Sequence, residues 1–376
     1  MGWFASAAAI AAGALGLAGV SHSTEITASS WFPVTHPLSG AGYVEWAKTV
    51  EEASGGDLTI RVFTGEALLP PVAHLSGLSD GIAQLTYHAG TYTPSDLPED
   101  NVLATLGIGL TGNIAVGAAV SDFYMHDPAM KGMFDRHGIV FLGGYATPPY
   151  TLMCRTKVET LQDIQGKKIR MPGAIHAEWA KEVGAVPVNV PSSEMFTGLE
   201  KGQLDCAANA ANDLKSRSLW DVAKHVTTLD LGSYFSGWLY AMNADAWRNL
   251  TDEQRRVLLD TIPDGIIEAS IAYTETSAEA LAEAPEHGVT LYEPGAELQG
   301  ALDDFKAAKV RGFAIKEGTE RFSITDSEGL VTRFEQTLEK WRGLLAGVDP
   351  NDKEALKAVL QENLYSTVDE AEYGAS

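Results

Sequence analysis

The sequence predicts an α/β protein of two domains, and three observations carry that prediction. Strand-like and helix-like segments alternate along most of the chain, the pattern of sheets built from strand–helix–strand units. The chain has 376 residues, enough for two ordinary domains. No low-complexity linker or tandem repeat interrupts it, so crossing strands rather than a flexible tether are expected to join the domains.

The elements follow in order. TEITAS reads as a short strand, and the loop after it carries aromatics, a His and two Pro. GYVEWAKTVEEASGG places Tyr43, Val44, Ala47 and Val50 at helical spacing and stops at Gly55-Gly56. DLTIRVFTG alternates as a strand, AHLSGLSDG is a short helix, and IAQLTYHAGTYTP is a strand running into an aromatic loop. Residues 113–136 read as helix and GIVFLGGY as a buried strand. YTLMCRT, KKIRMP, VPVNV and LDCAANA read as strands separated by LQDIQG, AIHAEWAKEVGA and SSEMFTGLEKG as helices. LWDVAKHVT is predicted helical and SGWLYAMNADAW a strand. TDEQRRVLLDTI opens with a capping box, Thr251 with Gln254 three residues on. From there to about residue 345 helix is expected, broken at Pro263, Pro285 and Pro294, and the acidic tail from Ser366 is expected to be loose.

Composition bounds the function. Hydrophobic residues make up 45% and charged residues 20%, a globular balance, while the net charge is −23. So acidic a chain lacks the basic footprint that nucleic acids or anionic membranes require. Self-repulsion favours a soluble monomer. Any anion must be caught by a local cationic site. MGWFASAAAIAAGALGLAGVSHS has an apolar run, Ala7 to Val20, too short to span a bilayer, followed by the small residues Ser21 and Ser23. Residues 1–23 therefore read as a secretory signal peptide, although no Lys or Arg precedes the run. No later stretch reads as a transmembrane helix, so no membrane insertion is expected after signal removal. Cys154 and Cys206 fall in predicted strands, which leaves both a disulfide and two separate thiols open.

Catalytic motifs are wanting. GIGLTG, Gly107 to Gly112, matches GxGxxG formally but comes too late in its domain to be a dinucleotide turn. GxSxG, HExxH and the P-loop are absent, and the nine His are scattered without helical pairing. Neither a cofactor nor a metal is expected. Binding signals are stronger. Arg170 ends the strand of GKKIRMPG before Pro172-Gly173 and a helix. In open α/β sheets ligands bind at such strand ends, and an Arg there can grip a carboxylate with a two-pronged fork. Asn209 ends the strand of QLDCAANA. Trp31 and His36 cluster in the first loop, and Tyr87, His88 and Tyr92 in the loop after an early strand. Trp238 suits pocket or core equally.

The order of these pieces resembles the periplasmic solute-binding subunits of TRAP transporters, the C4-dicarboxylate-binding or DctP-like family. The resemblance covers about residues 25–345. It is most specific over LQDIQGKKIRMPG and VGAVPVNVPSSEMFTGLEKGQLDC followed by AANA. These are similar to the family's DLKGLKIR-P strand, GA-PV strand, SE helix and ENP motif. EEASGGDLTIRVFTGEAL, LSDGIAQL and LYAMNADAWRNLTDEQRRVL agree more weakly.

The resemblance implies a two-lobed periplasmic-binding-protein fold with mixed sheets, crossing strands and a long helix spanning both lobes. Lobe I is then expected over 24–147 with about 237–275, lobe II over 148–236 with about 276–345, and a C-terminal helix and acidic tail over 346–376. The family's carboxylate-clamping arginine matches Arg170, and the Asn of its ENP matches Asn209. Cys206, Ala208 and Ala210 replace that motif's Gly, Glu and Pro, and Ser192 stands where some members carry an aromatic residue. The function expected is capture of a small organic acid in the periplasm for the small and large TRAP membrane subunits, driven by an ion gradient and involving no catalysis. A ligand sensor for a signalling receptor, or a secreted hydrolase, are the rival readings.

Overall fold

The computed structural model describes Gly2 and residues 23–375, so the expected signal peptide lies almost wholly outside the described residues. The chain builds two mixed sheets. The strands are β1 Thr24–Ser29, β2 Leu58–Phe63, β3 Leu85–His88, β4 Ile139–Gly143, β5 Thr151–Cys154, β6 Lys168–Arg170, β7 Val186–Val188, β8 Cys206–Asn209, β9 His225–Thr227, β10 Trp238–Asn243 and β11 Thr290–Tyr292. The first sheet has the order β2-β1-β3-β10-β4 and the second β11-β9-β5-β8-β6-β7. β1 runs parallel to β2 and β3, whereas β10 runs antiparallel between β3 and β4. In the second sheet β6 is parallel to β7 and β8, and β5 is antiparallel to β8 and β9.

The chain crosses between the sheets twice, from β4 to β5 and back from β9 to β10. The crossings pair with each other: Tyr150 N–H donates to Gly232 O at 2.9 Å, Tyr150 O accepts from Leu231 N–H at 3.0 Å, and Thr147 N–H donates to Tyr234 O at 2.9 Å. A third link is the 32-residue helix Asp252–Glu283, started by the expected Thr251/Gln254 capping box. At 1.5 Å per residue it is about 48 Å long. It packs on residues 40–53 beside the first sheet and on Asp213–Ser216 beside the second.

Several expectations are corrected. The long helix runs through Pro263 unbroken. The ring costs about 3 kcal/mol in a helix interior, and Leu258, Leu259, Ile262, Ile266 and Ile267, all buried around it, offset that cost. Residues 113–136 divide at Pro128, where Asp127 caps a second helix through Ala129 N–H. Within LWDVAKHVT only Leu219–Asp221 forms a helical turn, and His225–Thr227 is β9, since its partners β5 and β11 lie far away in sequence. The helix Ser327–Leu344, expected with lobe II, packs along Asn113–His126 on the first-sheet side, with Phe334 edge-on to Phe123 and Trp341 Nε1–H donating to Asp122 at 2.9 Å. The tail is not loose. Tyr373 O–H donates to Phe141 O at 2.5 Å, Trp247 Nε1–H donates to Tyr373 O at 2.7 Å, and Arg256 donates to the Tyr365 and Val368 carbonyls. Aromatic side chains and carbonyls anchor it without any apolar periodicity.

The crossing into β10 is tied to the first lobe by one buried carboxylate. Asp100 accepts from Tyr124 O–H at 2.7 Å, Ser236 O–H at 2.5 Å and Gly237 N–H at 2.7 Å. Gly237 sits at φ +74°, tight against the His88 carbonyl, where only glycine is at ease. Burial raises the Asp100 pKa from 3.8 to about 6, against the lowering effect of its three donors. An acid with a raised folded pKa takes up a proton on folding, so this contribution is complete below the unfolded value and is lost as pH rises through the folded one. The stability lead of the native protein over Asp100→Asn in urea unfolding is therefore expected to grow by up to about 3 kcal/mol as pH falls from about 7 to about 4. A difference that stays constant over that range contradicts the assignment.

Candidate functional site

Arg170 is the last residue of β6, and its register against β8 sets it beside Ala207. The side chain is 2% exposed. Its Nη1–H donates to Ala208 O at 2.9 Å, its Nε–H to Val190 O at 3.2 Å and its Nη2–H to the Tyr92 hydroxyl oxygen at 3.3 Å. Two carbonyls and a phenol thus fix the plane of the guanidinium. Among the described residues no carboxylate lies within ion-pair distance of it. Burial opposes its charge, but the Tyr92, Tyr150 and Tyr234 oxygens and the Asp213 carboxylate outweigh this and hold its pKa above the usual value. The result is a buried, oriented cation without an acidic partner.

Arg170 borders a narrow cavity whose empty space, open solvent included, is about 310 Å³. Trp31, Phe32, Leu38, Tyr87, Ala89 and Tyr92 line it from the first lobe, and Arg170, Ser192 and Asn209 from the second. Thr147, Tyr150 and Tyr234 line it from the crossings and Tyr273 from the long helix. The aromatic rings lock one another. Trp31 meets Tyr87 edge-on with centroids 4.5 Å apart, and Tyr150 stacks on Tyr234 at 5.8 Å. Burial raises the pKa of the Tyr87, Tyr150 and Tyr234 phenols, so all three keep their protons at neutral pH.

Behind Asn209 lies an ionic cluster that is not evident from the sequence. The Asn209 Nδ2–H donates to Asp213 Oδ2 at 2.5 Å, Ser216 O–H donates to Asp213 Oδ1 at 2.7 Å, and the Arg217 Nε is 3.3 Å from Asp213. The Arg217 guanidinium stands over the Phe32 ring at 5.1 Å and reaches Ser192 Oγ at 3.3 Å. His36 accepts the Leu38 N–H on Nδ1, which places its ring proton on Nε2, 3.7 Å from Asp213. Burial and then the Arg217 charge hold the His36 pKa well below its usual value, so the ring is neutral.

Six of the nine expected ligand-binding residues, Trp31, Tyr87, Tyr92, Arg170, Ser192 and Asn209, converge on this cavity. Three do not. His88 turns to the opposite face of β3 from Tyr87, bonds Thr93 Oγ1 at 2.8 Å and packs on Trp238. Trp238 donates to Thr86 Oγ1 at 3.1 Å and packs on Phe134 in the core of the first lobe. His36 lies one layer back, its ring stacked on Phe32 at 4.0 Å. Phe32, Tyr150, Tyr234 and Tyr273 were missed. PPYT and GSYFSGW before β5 and β10 hold the aromatic density that marks two of them. Cys154 and Cys206 are joined in a disulfide across neighbouring strands β5 and β8. Among the described residues no metal-holding cluster forms, and no helix is long and apolar enough to cross a membrane.

Two α/β lobes with paired crossings, a spanning helix and an arginine at the cavity between them define a two-lobed solute-binding architecture. The chain belongs to the bacterial extracellular solute-binding protein family 7, DctP, whose model matches residues 28–315. Among solved structures it is similar to a TRAP solute-binding protein of Rhodoferax ferrireducens, in complex with copurified benzoate. The TM-score is 0.75 and the identity 20%, over 86% of this chain and 99% of that one. A Bordetella bronchiseptica TRAP protein with bound mandelate aligns with TM-score 0.69 and 23% identity, over 84% and 99%. The ectoine-binding periplasmic protein TeaA of Halomonas elongata is 24% identical over 79% of this chain and 81% of its own. A solute-binding protein of Albidiferax ferrireducens is 24% identical over 57% of this chain, and the match spans only 63% of that relative.

Tyr92 spans the lobes. Its oxygen accepts from Ser192 N–H at 2.9 Å as well as from Arg170, which leaves its own proton for a third partner. Tyr92→Phe keeps the ring but removes both bonds. The affinity for whichever ligand proves to bind is expected to fall on the order of tenfold, chiefly through faster release in stopped-flow measurements. Unchanged release contradicts a bridging role.

Proposed function

We propose that the protein captures a small carboxylate, with an aromatic or compact cyclic body, in the cavity between its lobes. The observation that carries this reading is the buried Arg170 guanidinium, oriented by main-chain carbonyls and unmatched by any acidic side chain among the described residues. An unpaired buried charge is costly, and a carboxylate ligand supplies the missing partner in the geometry the guanidinium fork favours. One such pair contributes about 1.5–3 kcal/mol, short of the roughly 8 kcal/mol of micromolar binding. The aromatic walls and the closing of the lobes supply the rest. Benzoate, mandelate and pyroglutamate, bound by structurally similar proteins, are carboxylates of this size.

In this reading the ligand pocket comprises Trp31, Tyr87, Tyr92, Arg170, Ser192 and Asn209 together with Tyr150, Tyr234 and Tyr273. Lobe I is residues 24–147 with about 237–275 and the helix 327–344, and lobe II is 148–236 with about 276–316. The protein works in the periplasm, after removal of residues 1–23, and delivers its ligand to TRAP membrane subunits for ion-gradient-driven uptake without transforming it.

A thermal-shift screen of small organic acids tests the proposal. A bound acid at a hundred times its Kd adds about 2.7 kcal/mol to stability. The melting point is expected to rise with one class of carboxylate and to stay flat in Arg170→Ala, which must still melt cooperatively. An equal rise in the variant removes Arg170 from the site.

A further inference from the structure

The orientation of Asn209 carries more than a place in the cavity wall. Its carboxamide has a donor end, Nδ2, and an acceptor end, Oδ1. Asp213, ion-paired with Arg217, can only accept, so the atom lying 2.5 Å from its Oδ2 must be the Asn209 nitrogen. The direction is therefore set by chemistry, although oxygen and nitrogen are otherwise interchangeable in shape. Asp213 cannot turn away, because Ser216 O–H holds its Oδ1 at 2.7 Å and Arg217 flanks it at 3.3 Å. Both Asp213 and Asn209 are buried, at 0% and 3% exposure. One of the two Nδ2–H groups is committed to Asp213, which fixes the amide's orientation and holds Oδ1, to which no described residue donates, as a free acceptor. Asn209 lines the cavity next to Ala208, whose carbonyl holds Arg170 at 2.9 Å.

We propose that Asn209, positioned by Asp213, is an acceptor subsite beside the arginine, and that it selects carboxylates carrying a hydrogen-bond donor, a hydroxyl or an N–H, close to the carboxylate group. The inference rests on the carboxylate reading above and narrows it from any small acid to 2-hydroxy acids and their N–H counterparts. A ligand without the donor leaves a buried carbonyl oxygen unsatisfied, which disfavours that ligand in addition to the bond it fails to make. The cluster of Asp213, Ser216 and Arg217 lies outside the motifs matched by sequence, and its consequence is selectivity rather than mere affinity.

The test compares matched acids that differ by the donor alone: mandelate with phenylacetate, lactate with propionate, and pyroglutamate with 3-oxocyclopentanecarboxylate, each titrated calorimetrically into the mature protein. The native protein is expected to favour the donor-bearing member of the pair it binds, on the order of tenfold or more. That ratio is expected to fall towards one in Asn209→Ala, and in Asp213→Asn, where the amide is free to turn. Should Asp213→Asn melt below the working temperature, Asp213→Ser asks the same question. A general loosening of the site would weaken both members together and leave the ratio unchanged. Equal binding of both members by the native protein, abolished in Arg170→Ala, overturns the acceptor subsite and leaves the carboxylate reading standing. A preference kept in both Asp213 variants but lost in Asn209→Ala overturns the positioning by Asp213. No binding of any of the six acids overturns the carboxylate reading and this inference with it.

Discussion

The site depends on a guanidinium that the protein buries without an acid to meet it among the described residues. Arg170 is held by the carbonyls of Ala208 and Val190, groups that fix its direction without cancelling its charge. The rest of the molecule makes that arrangement tolerable. β8 must lie beside β6 for Ala208 to reach it, the disulfide ties β8 to β5, and the phenols around the cavity surround the cation with oxygen dipoles in place of water. In a chain of net charge −23, anions are repelled at long range and welcomed only at short range. Salt screens that repulsion, while the buried site, shielded by its walls, keeps its strength. On the proposed reading, binding of an acid should therefore be less hindered, not weakened, at physiological ionic strength.

The mechanical design follows from the two crossings. Because they pair with each other and because Tyr150 and Tyr234 stack across them, the floor of the cavity is also the hinge region. Asp100 anchors one crossing to the first lobe, while Tyr92 carries contact from the first lobe onto Arg170 and Ser192 of the second. A ligand that engages Arg170 and the phenol of Tyr92 together touches both lobes through adjacent groups, which couples recognition to closure without a separate lid.

How much of this was legible depends on whether a residue's placement is local. Arg170 was, since a strand ending in Pro172-Gly173 before a helix puts its last side chain at a cleft wherever the sheet goes. The capping box at Thr251 was legible for the same reason. Tyr87 and His88 were named together as a loop cluster, yet they are neighbours on β3, and successive strand residues face opposite ways. The aromatic face of Trp31 claimed Tyr87, and the core around Trp238 took His88. Tyr150 and Tyr234 lay hidden because their meeting depends on pairing between segments 84 positions apart in sequence. Tyr273 looks like any buried position of a long helix. Asp213 gave no signal, since an acid near a turn is ordinary until Asn209, Arg217 and His36 converge on it. The same non-local pairing hid β9 and β11, and side-chain bonds to main-chain carbonyls, which leave no periodic trace, hid the docking of the tail.

A structure of the mature protein with the organic acid that stabilises it most would test the central claim most directly. The account predicts both carboxylate oxygens on the Arg170 guanidinium, within hydrogen-bonding distance, and the body of the ligand between Trp31 and the Tyr150–Tyr234 pair. A ligand whose carboxylate sits away from Arg170, or an Arg170 that has turned to pair with an acidic side chain of the protein, would contradict it.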